Sequence, residues 1–264
     1  MKPQALILQA HGTNRDHDVA EALTLAGAEA VFVPLNELRQ NKQRLSDFQM
    51  LVLPGGFSYA DSLGAGKLLA LDLNAYFVDE ISAFVESGKP VIGICNGFQA
   101  LVKSGILPFG EKKEERRKNE VTLTFNAQGH FECRWVTLKP VSQKCIWTRD
   151  LGELIECPIA HGEGNFQTTN LFPLSSFLDN DQIALTYTHP NATPANGKYP
   201  TNPNGSILDI AGICSPRGNV LGLMPHPENH IYPYQHPQWM RGVNCHSGLI
   251  LFKNGVKYAS EMSF

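Results

Sequence analysis

The chain has 264 residues, with 22 Lys or Arg against 25 Asp or Glu, so its formal net charge is -3. A chain of this length can bury about three-quarters of its unfolded surface, enough for a large core without metals or disulfides. Hydrophobic residues make up 42% and charged residues 18%, which excludes an intrinsically disordered chain. The near-neutral charge argues against nucleic-acid binding, and no apolar run approaches the roughly 20 residues of a membrane span. The N-terminus has no signal-peptide pattern.

The first hundred residues alternate between apolar, strand-like runs and amphipathic, helix-like stretches. Strands are predicted at residues 5–8, 30–33, 50–53 and 90–94, and helices at 18–26 and 79–86. Apolar strands separated by helices are typical of a mostly parallel sheet covered on both faces. The pattern therefore predicts an α/β fold, a three-layer α/β/α sandwich of the doubly wound, flavodoxin-like kind. Its functional loops are expected at the carboxyl ends of the strands.

From about residue 120 the pattern changes to shorter strand-like segments. Residues 121–125 and 131–138 flank Asn126-Ala127-Gln128-Gly129, which predicts a hairpin. Further strands are predicted at 183–187, 207–213 and 220–223. Because no Ser/Gly/Pro-rich linker precedes these segments, we expect them to be antiparallel additions to the same core, in a single domain over residues 1–264.

Two stretches lack a regular pattern. Residues 111–118 form a run of mixed charge, which favours a solvated loop or helix face, with a partner-docking surface as the alternative. Residues 187–205 are rich in Pro, Asn, Thr and Gly and are expected to form a long irregular loop, a feature that is often functional in compact domains.

Six cysteines are scattered along the chain without a CxxC pair, which indicates reduced thiols and a cytoplasmic protein. One of them, Cys95, stands out because an apolar strand runs into it and helical spacing follows at once. Gly93 and Gly97 bracket it, giving the Gly-x-nucleophile-x-Gly elbow with Cys in place of Ser. Such an elbow lies at a helix N-terminus, where the dipole favours the thiolate, and leaves the N–H of Asn96 available for an oxyanion. A buried cysteine in an ordinary turn is the alternative.

A thiol nucleophile needs a base, and the base needs a group that orients it. His226 follows an apolar strand and lies between two prolines, which stiffen the turn. Glu228, two residues further on, could accept the other imidazole N–H and fix the tautomer. The Gly-Gly turn after residues 50–53 is expected to provide a second oxyanion donor from its backbone.

Together these motifs resemble the triad-type (class I) glutamine amidotransferases. The segments that carry the resemblance are GICNGFQ at 93–99 and HPE at 226–228. The segment GGFSYAD at 55–61 narrows the resemblance to the glutaminase components of phosphoribosylformylglycinamidine synthases, a purine-biosynthetic family. HGEG at 161–164, YPTNPNGS at 199–206 and GNVLGLMPHPE at 218–228 are similar to the same family.

The resemblance implies a role for each matching position. It implies that Cys95 attacks the side-chain amide of glutamine, that His226 moves the proton, and that Glu228 orients His226. The remaining implied residues are the oxyanion donors Gly56 and Asn96 and the glutamine-holding residues Gln99, His161, Gly162 and Glu163.

The family also implies partners. Ammonia is expected to pass to a synthetase subunit that uses ATP and magnesium to aminate formylglycinamide ribonucleotide, and the complex could include a small accessory subunit. No cofactor or metal is expected in this chain itself, and neither nucleic acid nor membrane is an expected partner.

Three alternatives to this function remain open from the residues. One is a peptidase or deglycase that uses the same cysteine elbow, and another is a regulatory subunit with a relic site. The third is a metal site built from His226, His230, His236, Cys245 and His246, although the prolines among them disfavour a helix and the spacing fits no standard zinc pattern.

Overall fold

The computed structural model describes residues 2–42, 44–109, 120–169, 173–242 and 247–262, so the mixed-charge run at 111–118 lies outside the described residues. The strands are β1 (Gln4–Gln9), β2 (Glu29–Pro34), β3 (Met50–Leu53), β4 (Val91–Ile94), β5 (Val121–Thr124), β6 (Glu132–Pro140), β7 (Ile155–His161), β8 (Asn165–Thr168), β9 (Ile183–Thr188), β10 (Ile210–Cys214) and β11 (Val220–Leu223). The helices are α1 (Asp16–Ala26), α2 (Leu35–Arg39), α3 (Lys67–Tyr76), α4 (Val78–Glu86), α5 (Asn96–Lys103), α6 (Ser175–Asp179) and α7 (Leu249–Glu261).

Nine strands form one sheet in the order β2-β1-β3-β4-β11-β10-β9-β6-β7. The strands from β2 to β11 in this order are parallel to one another, and those from β10 to β7 extend the sheet in antiparallel fashion. Helix α1 packs against α7, and α5 packs against α3 and against β4. The α/β class, the parallel centre and the antiparallel additions predicted from the sequence are confirmed.

The centre of the sheet is buried because its strands have no polar face. Every residue of β3, β4 and β11 is buried, as expected for short apolar strands with helices packed over the sheet. Register then positions the site. Because β4 and β11 pair in parallel with Ile94 opposite Leu223, the loops that follow these two strands leave the sheet side by side.

The predicted hairpin around Asn126 is wrong in its pairing. A turn does form, since the Gly129 N–H donates to the Asn126 carbonyl at 2.9 Å. However, β5 pairs with β8 in a separate two-stranded sheet, while β6 joins β7 and β9 in the main sheet. The buried partner of β5 explains this pairing: Leu123 lies opposite Phe166, whose ring stacks on Phe98 of α5.

The strand predicted at 207–213 begins later than expected. Residues 207–209 form a 3-10 turn in which Leu208 and Asp209 have left-handed φ angles of 50° and 55°, a conformation that cannot continue a strand. The stretch from 189 to 206 contains no helix or strand, as predicted.

Candidate active site

Cys95 lies on a sharp turn between β4 and α5. Its φ of 50° and ψ of -105° are strained for a non-glycine residue, and α5 begins at the next position. The flanking glycines are required by close packing. A Cβ on Gly97 would lie 2.0 Å from the Leu53 carbonyl oxygen, and one on Gly93 would lie 2.9 Å from the Gly97 carbonyl oxygen. The elbow geometry that the Gly-x-Cys-x-Gly pattern predicts is therefore present.

His226 and Glu228 lie beside this elbow, after β11. The imidazole Nδ1 of His226 is 2.7 Å from Oε1 of Glu228, and both side chains are buried. The His226 N–H donates to the Pro158 carbonyl at 2.8 Å, which fixes the backbone of the turn. Gly55 lies against both His226 and Cys95, because a Cβ there would be 2.7 Å from His226 Cε1 and 3.4 Å from Cys95 Cβ.

The charges around His226 favour its protonated form. Burial on its own would lower the pKa of the imidazole, but the neighbouring Glu228 and Cys95 raise that pKa to about 10. These neighbours therefore favour an imidazolium that donates from Nδ1 to Glu228. A proton held beside a thiol nucleophile is available to a leaving group.

The Gly-Gly loop after β3 is fixed to the connection between β1 and α1. The N–H of Phe57 donates to the Gly12 carbonyl at 3.1 Å, and that of Tyr59 to the His11 carbonyl at 2.6 Å. Gly56 has a φ of 127°, and a Cβ there would lie 2.6 Å from the Asn14 nitrogen, so only glycine fits. These contacts hold the backbone of Gly56 at the edge of the cavity that contains Cys95.

A cavity of about 160 Å³ opens beside Cys95. It brings together the predicted residues Gly56, Cys95, Gln99, His161, Gly162 and Glu163. It is also lined by residues that the sequence analysis did not single out, namely Phe57, Asp61, Ala65, Phe125, Phe131 and Ala160. Asn96, the other predicted oxyanion donor, begins α5 directly after Cys95.

The side chain of Gln99 has protein partners at both ends. Its Nε2 donates to the Glu163 carbonyl at 2.7 Å, and its Oε1 accepts from Asn96 Nδ2 at 3.3 Å. The carboxylate of Glu163 accepts from the Ala65 N–H at 3.2 Å and lies 3.4 Å from Lys103 Nζ. Gln99 and Glu163 therefore join α5, the loop before α3 and the loop after β7 into one wall of the cavity.

His161 is buried and neutral. Burial and the nearby His226 lower its pKa to about 3. Its Nδ1 lies 3.2 Å from Asn126 Oδ1, an oxygen that also accepts the Gly164 N–H at 3.0 Å. We assign the Nδ1–H tautomer on this contact, so Nε2 is an acceptor, and it has no partner among the residues that the structure describes.

Asn126, which the sequence predicted only as part of a turn, lies beside the cavity and contacts the loop after β7. Its Nδ2 donates to the carbonyls of His130 at 3.0 Å and His161 at 2.8 Å, and its N–H donates to the Gly162 carbonyl at 2.9 Å. Asn126 thus contacts the loop after β7 at His161, Gly162 and Gly164 through its side chain and its backbone N–H. The only signal in the sequence was an Asn in a turn, which is far too common to identify such a role.

The histidines that suggested a metal site are divided between two places. His226 belongs with Cys95 and Glu228, whereas His230 and His236 pack edge-on against Trp135 at centroid distances of 5.1 and 4.8 Å. Within the described ranges, no group of three or more His, Cys, Asp or Glu is arranged to hold a metal ion. Cys245 and His246 lie outside those ranges. In the same ranges, no helix has the length and apolar character needed to cross a membrane.

The chain is similar to known proteins in both sequence and fold. Residues 2–259 match the family of CobB/CobQ-like glutamine amidotransferase domains. The chain is 54% identical to the phosphoribosylformylglycinamidine synthase subunit PurQ of Treponema denticola, over 98% of this chain and 99% of that protein. It is 42% identical to the subunit of the same name from Dehalococcoides mccartyi, over 99% of both.

Two solved structures are similar in fold. A chain in the structure of PurLQS from Thermotoga maritima matches with a TM-score of 0.73 and 31% identity, over 98% of this chain and 99% of that one. A glutamine amidotransferase from the same organism matches with a TM-score of 0.55 at 14% identity, over 99% of this chain and 100% of that one, which supports the fold alone.

Proposed function

Because the chain belongs to the PurQ family of phosphoribosylformylglycinamidine synthase subunits, we propose that it is the glutaminase subunit of such a synthase in purine biosynthesis. The observation that supports this function best is the strained Cys95 elbow beside the buried His226–Glu228 pair, at the edge of a small cavity. A nucleophile, a proton donor and an orienting carboxylate are the groups that amide hydrolysis through a thioester needs.

The proposed reaction has two steps. The Cys95 thiolate attacks the side-chain amide carbon of glutamine, and the N–H groups of Gly56 and Asn96 stabilise the oxyanion. His226 gives its proton to the nitrogen, the carbon–nitrogen bond breaks, and ammonia leaves a glutamyl thioester on Cys95. Water then attacks the thioester, His226 takes up a proton, and glutamate is released. Glu228 keeps the imidazole oriented through both steps.

The substrate-holding residues are assigned from the cavity wall. We propose that Gly162 and His161 hold the substrate, while Gln99 and Glu163 act by holding the wall in place. Under this assignment, Gln99 and Glu163 are positioning residues because their polar atoms are engaged by the protein.

A synthetase subunit is the proposed partner. PurLQS, the complex named for the Thermotoga maritima structure, contains a chain similar to this one over nearly its whole length. We propose that ammonia passes from this chain, acting as one domain over residues 1–264, to a synthetase that uses ATP and Mg²⁺ to convert formylglycinamide ribonucleotide to formylglycinamidine ribonucleotide. A small accessory subunit and a cytoplasmic location complete the proposal, and no cofactor is assigned to this chain.

The test is ammonia release from glutamine by the complex of this chain with its synthetase. Cys95→Ala is expected to abolish ammonia release, while Cys133→Ala, which removes an exposed thiol, leaves it unchanged. Free ammonia should restore product formation in the Cys95→Ala complex, because the synthetase does not need the thiol.

Two results would contradict the proposed function. One is a Cys95→Ala complex that still releases ammonia from glutamine. The other is a wild-type complex that hydrolyses peptides or glyoxal adducts but not glutamine, which would favour the peptidase or deglycase alternative. We further expect the chain alone to be much less active than the complex, since uncoupled ammonia release would waste glutamine.

A further inference from the structure

Apart from Cys95, His226 and Glu228, three charged side chains of the described residues lie at or beside the cavity, and two of them, Lys103 and Glu163, neutralise each other. Lys103 Nζ is 3.4 Å from Glu163 Oε2, and both side chains are largely buried. The other oxygen, Oε1, accepts the Ala65 N–H at 3.2 Å. Glu163 therefore has a counter-ion and a backbone donor from the protein, which leaves its charge balanced.

The third group is Asp61, which forms no such ion pair, although the charge of nearby Lys103 acts to lower the pKa of its carboxyl. Its carboxylate accepts from Asn96 Nδ2 at 2.7 Å and from the Gly66 N–H, both of them neutral donors. Within the described ranges, no Lys, Arg or His lies within 4.0 Å of it. A carboxylate has about four lone-pair sites, so two accepted hydrogen bonds leave room for further donors.

The backbone around Asp61 fixes this carboxylate at the cavity. Tyr59, Ala60 and Asp61 have successive φ angles of 54°, 53° and 53°, a left-handed run that non-glycine residues rarely adopt. The run is fixed at one end by the Tyr59 N–H bond to His11 and at the other by the Asn96 contact. Such strain is typical of functional sites. Here it aims a half-buried carboxylate at the cavity that contains Cys95.

We propose that Asp61 binds the α-ammonium group of glutamine and so makes the site specific for an amide that carries an α-amino group. The proposal rests on the glutaminase function proposed above. Glutamine is a zwitterion, and burying its ammonium group is costly unless an anion accepts its hydrogen bonds. Of the cavity-lining carboxylates, Asp61 and Glu163, Glu163 has a basic side chain within 4.0 Å, whereas Asp61 has none among the described residues. Burial and the neighbouring Glu163 raise the pKa of Asp61, and they outweigh the lowering effect of the Asn96 and Gly66 hydrogen bonds and of the more distant Lys103.

The experiment compares glutamine with glutaramate, which is glutamine without its α-amino group. Ammonia release is measured for the complex with its synthetase, for wild type and for Asp61→Asn. The Asn side chain removes the charge and keeps one oxygen that can accept from Asn96 or from the Gly66 N–H. We expect kcat/KM for glutamine to fall by about 10- to 100-fold, mainly through KM, as for loss of a hydrogen bond to a charged group. For glutaramate, kcat/KM should change by no more than about twofold.

The matched control is Asp72→Asn. Asp72 accepts from the hydroxyl of Tyr59, which belongs to the same left-handed run as Asp61. Asp72 itself does not line the cavity. The ratio of kcat/KM for glutamine to that for glutaramate should stay at the wild-type value in this variant, because any effect on the loop falls on both substrates alike.

The outcomes separate this proposal from the proposed function. If Asp61→Asn lowers kcat/KM equally for both substrates, Asp61 only supports the loop and the specificity role is overturned. An unchanged kcat/KM for glutamine in Asp61→Asn overturns it as well. Failure of the wild-type complex to release ammonia from glutamine would instead overturn the glutaminase function itself.

Discussion

The position of Gly55 allows a direct test of how closely Cys95 and His226 must approach. A Cβ at this position would lie 2.7 Å from His226 Cε1, whereas ordinary contact begins at 3.4 Å, so the ring has to move by about 0.7 Å. Gly55 does not have a left-handed φ, so Gly55→Ala adds volume without backbone strain. A misplacement of about 1 Å can cost about 100-fold in rate, and we therefore expect kcat to fall by roughly 10- to 100-fold.

The assay for Gly55→Ala is ammonia release from glutamine by the complex, together with urea unfolding of the chain. Overpacking should lower the free energy of unfolding by about 1–3 kcal/mol, which would leave the chain folded at 25 °C in buffer. Gly152→Ala is the matched control, since no atom lies within 4 Å of the added Cβ. A kcat of Gly55→Ala within about twofold of wild type, or an equal loss of activity in Gly152→Ala, would contradict a tight requirement on the position of His226.

Two further predictions concern stability and its pH dependence. In Gly97→Ala the new Cβ would lie 2.0 Å from the Leu53 carbonyl oxygen. Urea unfolding should therefore show a free energy of unfolding lower by about 2 kcal/mol or more, although alanine favours a helix over glycine by roughly 1 kcal/mol. An unchanged free energy of unfolding would contradict the packing of the elbow. His161 has a pKa lowered to about 3, whereas in the unfolded chain it takes up a proton near pH 6.5. Because only the unfolded chain takes up this proton, the free energy of unfolding falls progressively as the pH drops from about 6.5 toward 3. Between pH 6 and pH 5, wild type should therefore lose about 1 kcal/mol more of its free energy of unfolding than His161→Asn. Parallel stability curves for the two proteins would show that His161 is not buried as a neutral group.

The elbow and the residues near His226 could be predicted because short-range rules determine them. An apolar strand that ends at Gly-x-Cys-x-Gly has few conformations available. The glycine at position 97 already indicated a position with no room for a side chain, and the structure shows the close packing there. His226 and Glu228 are two residues apart, so their contact needed only a turn that prolines make rigid. Only the pairing of β4 with β11, which brings the two segments together, depends on the whole fold.

Asp61 illustrates a different limit of prediction. Its residue type and its place after the Gly-Gly turn were visible in the sequence, but its importance depends on what the neighbouring charges do. Lys103 pairs with Glu163 across the wall of the cavity, and Asp61 is left with no basic side chain within 4.0 Å among the described residues. No local sequence pattern distinguishes a carboxylate that forms an ion pair with a lysine from one that does not.

The wrongly predicted hairpin shows why the remainder of the site was not predictable. Alternating apolar residues on both sides of a good turn satisfy every local requirement of a hairpin. In the fold, however, β5 pairs with β8, which places Leu123 opposite Phe166 and next to α5. This pairing brings β5 beside β8, and the turn after β5 then lies beside the loop between β7 and β8. Asn126 in this turn contacts His161 and Gly164, so the non-local pairing that the local pattern did not predict also contributes to the wall of the cavity.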